Sequence, residues 1–334
     1  MVFENCISLV KDELEAVEAA LHKNFISDVV MIPEISRYLS EGGGKRIRPL
    51  LLLTASKLCG YYKGERHINI SCVVEFIHSA TLLHDDVVDE AHIRRGKTSS
   101  NIKWGNEASV LVGDYLFSKS FQLVALDNDF KILSCISEAS RRLIEGEMLQ
   151  LVQRRSIATA EKDYFDMVKR KTAALIASSC QAGAILGKAS GEVAMALFRY
   201  GEKVGMAFQL IDDLLDYISD EEKLGKPAHN DLREGHITLP LIRLYQCGND
   251  KEKKIIERLV YSGKGIQEGV ANVLDLMDKY AVVEYTIEKS REFVREGKKE
   301  ISGLPPSAYL DSLLAVADYI VEKRVESCLK GASL

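Results

Sequence analysis

SCVVEFIHSATLLHDDVVD, residues 71–89, is the stretch from which the fold is read. Val73, Val74, Ile77, Thr81 and Leu82 recur at the spacing of one helical face. The run then ends in three carboxylates, Asp85, Asp86 and Asp89. On a helix, positions i and i+4 point the same way, so Asp85 and Asp89 share a face. Three carboxylates in five residues of an apolar helix are costly unless a cation or solvent neutralises them. The pattern returns in FQLIDDLLDY, residues 208–217, where Asp212, Asp213 and Asp216 follow an apolar stripe of Leu197, Tyr200, Val204, Phe208 and Ile211. Asp85, Asp89, Asp212 and Asp216 are the candidate metal ligands. One such word alone fits a solvated acidic helix end. Two, each ending an apolar run, fit aspartate pairs facing across a cleft and holding Mg²⁺, which takes one or two carboxylates plus substrate phosphate.

Proline placement extends the helical reading outward. None occurs from residue 50 to 226, and proline breaks helix interiors. Breaks are expected near 41–44, 60–65, 95–97, 128–130, 187–191, 220–235 and 302–306, where glycine, proline or polar residues interrupt the periodicity. Strand-like alternation is scarce and no composition shift marks a linker. The expectation is an all-α single domain, 1–334, of long packed helices.

Bulk composition excludes several classes. The chain has 334 residues, 46% of them hydrophobic, enough for a sizeable core, and a net charge of -5. That charge, with no Lys/Arg-rich run, gives no reason to expect nucleic acid. Seven scattered cysteines with no CxxC read as small buried hydrophobes in a reducing compartment. No signal pattern opens the chain, and no apolar run approaches the roughly 20 residues of a membrane span. A soluble, cytoplasmic protein is expected.

The basic words carry the next layer. In Gly42-Gly43-Gly44-Lys45-Arg46-Ile47-Arg48-Pro49, glycines allow close backbone approach and three cations follow, a composition suited to phosphate. A flexible basic loop is the alternative. Arg94-Arg95-Gly96-Lys97 begins five residues after the first aspartate word, as phosphate forks or as charge balance for it. Lys171-Thr172 opens a helix rich in alanine and serine, leaving room for a ligand or for close helix packing. Gly225-Lys226-Pro227 is a turn able to carry Lys226 back toward metal. His78 is placed to face the same cavity as Asp85.

In this order the words GGGKRIRP, HSATLLHDDVVD, RRGK, GNEASVLVGDYLFSKSF, KT, FQLIDDLLDY, GKP and TLP resemble the trans-isoprenyl diphosphate synthases, the polyprenyl synthetase family. The similarity runs from Gly42 to Leu241 and is most like the bacterial octaprenyl and other medium-to-long-chain enzymes. It implies antiparallel helices around a central cavity, the isoprenoid synthase fold. It also implies a prenyltransferase in which Asp85, Asp86, Asp89, Asp212, Asp213 and Asp216 carry three Mg²⁺ ions bridging to an allylic diphosphate. Arg94, Lys171 and Lys226 match that diphosphate's cationic ligands. Lys45, Arg48, His78 and Arg95 match the ligands of isopentenyl diphosphate, and Thr172 and Gln209 match positions facing the developing carbocation. His229 and His236 depart from the family's usual glycine and lysine. The first puts the loop conformation in question, the second a phosphate contact.

Chain length follows from the helix before Asp85. The family's large aromatic at the fourth or fifth position before the aspartate, which stops growth early, is here replaced by Thr81 and Ala80. With Ile77 and Phe76 deeper, a product of about C30 to C50, centred on C40, is expected. Phe76, or the helix near Leu133 and Ile136, sets the floor. The resemblance also implies a homodimer and a transient membrane contact for product release. The alternatives are a shorter-chain farnesyl or geranylgeranyl diphosphate synthase, a terpene cyclase, and a non-catalytic subunit of a heteromeric synthase. The second intact DDxxD argues against a cyclase, and the six retained aspartates against a non-catalytic subunit.

Overall fold

The computed structural model describes residues 2–41, 44–218, 229–262 and 266–329. Its elements run in order α1 (Val2–Ser8), α2 (Lys11–Asn24), α3 (Met31–Glu41), α4 (Ile47–Leu58), α5 (Arg66–Val88), β1 (Ile93–Arg94), β2 (Lys97–Thr98), α6 (Ser100–Trp104), α7 (Asn106–Asp127) and α8 (Phe130–Gln153). Then follow α9 (Glu161–Val168), a π-helical turn (Lys169–Ala173), α10 (Ala174–Leu186), α11 (Gly191–Ile218), α12 (Asn230–Glu234), α13 (Leu239–Cys247), α14 (Asp250–Ser262), α15 (Ile266–Lys279), α16 (Val282–Ile301) and α17 (Ala308–Leu329). The fold is all-α. Among the described residues the strands are one two-residue antiparallel hairpin, Ile93 opposite Thr98 and Arg94 opposite Lys97. Helix ends fall at the expected breaks, including 60–65, 128–129, 187–190 and 302–307.

The chain forms two compact units. The first comprises residues 1–140, 175–201 and 299–316. Its centre is α4, where Leu50, Leu51, Leu52 and Leu53 are all fully buried. A helix apolar all round belongs inside a core. Each such leucine contributes about 2 kcal/mol of burial. Around it α5 buries Val73, Val74, Phe76, Ile77, Ala80 and Leu83, and α7 buries Val112, Leu116 and Val124. Arg66 donates from Nε and Nη2 to Asp127 at 2.7 Å each. His84 Nε2 lies 3.2 Å from Val110 O and 3.3 Å from Asp114. These contacts set α5 and α7 antiparallel. The small residues of α10 serve close packing there: a Cβ on Gly183 would come within 2.4 Å of Leu52 O.

The second unit comprises residues 141–174, 202–298 and 317–334. Its core gathers Tyr164, Val168, Leu210, Tyr217, Leu239, Leu241, Leu244, Ile256, Val260, Val273 and Met277. Thr238 stands at the N-cap position of α13 and Pro240 sits in its first turn, where a missing N–H costs nothing. The TLP word is thus a helix start.

Among the described residues six cysteines are free thiols, four of them buried. Burial pushes Cys72 and Cys135 up to about 12, as inert packing thiols require. Among the described residues no helix is long and apolar enough to cross a membrane.

Candidate active site

In the first unit, the aspartate word closes α5. The Asp89 N–H caps it on Asp85 O at 2.8 Å. Asp85 and Asp89 are half-buried, whereas Asp86 is fully buried. Arg94 on β1 explains the difference, donating from Nε to Asp86 Oδ1 at 2.5 Å. Desolvation raises the Asp86 carboxyl, and Arg94 counters it. The middle carboxylate is held by the protein, and the i, i+4 pair is the accessible one. All donors of that pair are carboxylate oxygens, the set a hard divalent cation takes.

Arg95 and Gly96 form the two-residue hairpin loop, with φ of 51° and 74°. Both central residues of a type I′ turn need this left-handed conformation. Arginine adopts it at a cost in strain, of the kind found at functional sites. The Arg95 guanidinium lies 3.5 Å from where a Cβ on Gly44 would sit, so it rests against the glycine loop. The Tyr38 hydroxyl donates to Thr98 O at 2.8 Å and ties α3 to the same hairpin.

The three cations of the glycine word are not equivalent. Arg46, left-handed before α4, donates from Nη1 to Glu75 at 2.7 Å and from Nη2 to Glu18 at 3.0 Å and Ser40 at 3.2 Å. Its Nε also donates to Glu18. It is a structural clamp. Lys45 is exposed. Arg48 has a buried Nε without a hydrogen-bond partner among the described residues. His78 lies among these groups. Burial, then Arg48, Arg95, Arg94 and Arg46, hold its imidazole well below the usual range, so it is neutral. Burial lowers Arg48 and Arg95 as well; Glu75 opposes this at both, and Arg95 lowers Arg48 further. Cations crowded this way favour an anion among them.

On α5 the chain-length candidates differ in setting. Thr81 is half-buried, and Ala80, Ile77 and Phe76 are fully buried. A Cβ on Gly113 of α7 would lie 3.2 Å from Ala80 O, so Ala80 backs onto that helix. The Phe76 ring packs on Phe25, centroids 5.6 Å apart. Nine residues before Asp85, it sits half a turn round the helix from it.

In the second unit, Lys171 and Thr172 lie within the π turn rather than at a helix start. Such turns re-aim side chains and recur at functional sites. Two glycines make room for this one. A Cβ on Gly146 would lie 2.2 Å from Lys171 N, and one on Gly205 2.6 Å from Ala173 Cα. Lys171 Nζ rests on Glu147 at 2.5 Å and Gln150 at 2.6 Å. Thr172 Oγ1 donates to Gln209 Oε1 at 2.7 Å, and Gln209 Nε2 to Asp213 Oδ1 at 2.6 Å. The Tyr164 hydroxyl donates to Asp213 Oδ2 at 2.5 Å. Burial, with Asp231 and Asp212 near, pushes the Asp213 carboxyl well up, and its two donors oppose that. The middle aspartate is again engaged by protein. Asp212 is half-buried. Asp216 is buried, and its Oδ2 accepts the Asp231 N–H at 2.9 Å.

Lys226 lies outside the described residues. His229 adopts the left-handed conformation, φ 57°, that a glycine would take, and its N–H donates to Asp216 O at 3.0 Å. His236 Nδ1 is 3.4 Å from Glu234 and 3.8 Å from Asp231. Sequence reasoning missed the Glu18 and Glu75 partners of Arg46, the Glu147 partner of Lys171, and Tyr164. The one available signal was that a tyrosine on an apolar face must find a partner for its hydroxyl when buried.

Residues 29–277 match the sequence profile of the polyprenyl synthetase family. Over 323 residues the chain is 37% identical to octaprenyl diphosphate synthase of Escherichia coli, covering 97% of this chain and 99% of the relative. It is 34% identical over 305 residues to a short chain isoprenyl diphosphate synthase of Methanothermobacter thermautotrophicus, covering 89% and 93%. The crystal structure of a polyprenyl synthase from Caulobacter crescentus, complexed with calcium and isoprenyl diphosphate, superposes with TM-score 0.93 at 34% identity, covering 96% of this chain and 98% of that one. The chain therefore belongs to the polyprenyl synthetase family, the metal-dependent prenyltransferases that join isopentenyl diphosphate to an allylic diphosphate.

Proposed function

We propose that this chain elongates an allylic diphosphate with isopentenyl diphosphate to an all-trans product of about C40, within a range of C30 to C50, because Thr81 leaves the aspartate-bearing face of α5 unblocked. The observation that carries the reading is the gathering of Arg48, Arg94 and Arg95 around a neutral His78, beside the accessible pair Asp85 and Asp89. Isopentenyl diphosphate is held by Lys45, Arg48, His78 and Arg95. Asp85, Asp89, Asp212 and Asp216 hold Mg²⁺, three ions by family resemblance. When bound, the metal offsets charge on the departing diphosphate.

The residues divide the remaining work. Arg94, Lys171 and Lys226 stabilise the allylic diphosphate as its carbon–oxygen bond breaks. Lys171 is pre-set for this by the π turn and exchanges Glu147 for phosphate. Thr172 and Gln209 face the allylic cation. The isopentenyl double bond attacks that cation and forms the new carbon–carbon bond. The proton lost goes to the released diphosphate, so no protein base is assigned. Apolar walls exclude water, which would otherwise capture the cation. A homodimer working in the cytoplasm, touching a membrane only to release product, completes the proposal. The short-chain relative supports a second reading, a C15 or C20 product.

The test is incubation with isopentenyl diphosphate, Mg²⁺ and each of the C10, C15 and C20 allylic primers, with the products sized. Elongation to about C40 supports the proposal, a stop at C15 or C20 supports the second reading, and no elongation with any primer overturns both.

A further inference from the structure

Tyr164 on α9 is fully buried, and its hydroxyl reaches the second aspartate word. The Tyr164 hydroxyl donates to Asp213 Oδ2, 2.5 Å away. Asp213 Oδ1 takes its donor from Gln209 Nε2 at 2.6 Å. Both Asp213 oxygens thus accept a hydrogen bond from a protein donor. Gln209 must turn its NH₂ toward Asp213, and its Oε1 must then face Thr172. Thr172 Oγ1, 2.7 Å from that oxygen, donates its one hydrogen inward. Its remaining lone pairs are left to face the substrate.

We propose that Tyr164 is a positioning residue for prenyl transfer: through Asp213 and Gln209 it fixes the direction of the hydrogen bonds, so that Thr172 presents lone pairs rather than a hydrogen to the allylic cation. The proposal rests on the prenyltransferase reading above. It adds a partner to the second aspartate word and gives that word's middle residue a task other than metal binding.

The test is Tyr164→Phe, which keeps the ring in the core and removes the hydroxyl. Outer-shell partners of this kind are worth about 10- to 100-fold in activity, so kcat is expected to fall by that factor. KM for isopentenyl diphosphate stays within about twofold, since only transition-state contacts are lost. A double-mutant cycle with Thr172→Val separates positioning from packing. Once Thr172 has lost its hydroxyl, adding Tyr164→Phe has little further effect on kcat. Independent, multiplying effects overturn the proposal, and so does an unchanged kcat. A melting temperature within a few degrees of wild type excludes loss of fold as the cause. If Tyr164→Phe does not fold, Tyr164→His, which keeps a donor for Asp213, is used instead: kcat near that of wild type is expected, and a loss as large as that of Thr172→Val in a folded variant overturns the proposal. Wild-type chain that elongates no primer overturns prenyl transfer itself. Wild type that elongates while Tyr164→Phe matches its kcat overturns only the role of Tyr164.

Discussion

Arg46 and Arg48 stand two positions apart with the same charge, yet the structure gives them opposite duties. Arg46 is consumed by Glu18 and Glu75, and the Glu75 side chain is only 5% exposed. Arg46→Ala leaves that carboxylate buried and unpaired, so unfolding by urea should show a loss of about 3 to 5 kcal/mol. Arg48→Ala should leave the urea midpoint nearly unchanged. Losing its charge-assisted bonds to phosphate should instead raise KM for isopentenyl diphosphate about ten- to a hundredfold. Equal KM effects from the two variants would contradict the division. His78 sets the sign of an acid effect. Its folded pKa lies well below the unfolded value of 6.5, so below that pH the unfolded chain binds more protons and stability falls. His78→Asn removes this contribution, and the urea midpoint should decline less steeply from about pH 6.5 to pH 5 than in wild type.

At the scale of the element, the π turn is the most informative piece. It inserts one extra residue per turn where Lys171 and Thr172 stand, and the backbones at Gly146 and Gly205 press against it. Gly146→Ala places a methyl where Lys171 N already is. A loss of about 1 to 3 kcal/mol is expected, with a fall in kcat from the displaced Lys171 and Thr172. Retained kcat with lowered stability would detach the turn from catalysis. α5 poses the parallel question for product length. Thr81→Phe, one turn before Asp85 and half-buried, should shorten the product with little change in melting temperature. Ala80→Phe has α7 behind it and should overpack by about 1 to 3 kcal/mol. Products of unchanged length from Thr81→Phe would place the tunnel elsewhere. The periodicity of α5 was legible in the sequence. The π turn was not, because no residue type marks it; it depends on two glycines that lie 25 residues before and 34 after Lys171.

For the whole molecule, the chemistry depends on a cation that the donor set fits. Chelating divalent ions should stop elongation, and Mg²⁺ should restore it. Elongation in excess chelator would contradict the metal assignment. The proposed dimer predicts a mass by sedimentation equilibrium of twice 37.2 kDa. Exposed leucines on α7, Leu111 and Leu126 at 66% and 76%, are apolar surface that such an interface would cover. A concentration-independent mass of 37.2 kDa would remove the dimer.

The sequence alone determined what is local. Helical spacing, the proline-free run, the glycine breaks and the two aspartate words follow from backbone sterics and side-chain periodicity, which act over a few residues. Those sufficed for an all-α fold and for locating the acidic and basic groups. Only tertiary structure decided which of these groups are at work. Arg46 is lost to Glu18 from 28 residues away, Asp86 is drawn aside by Arg94, and Asp213 is held by Tyr164 from 49 residues away. A charge's function depends on which partner reaches it first, and distant partners are chosen by how the helices pack, not by the spacing of the word itself.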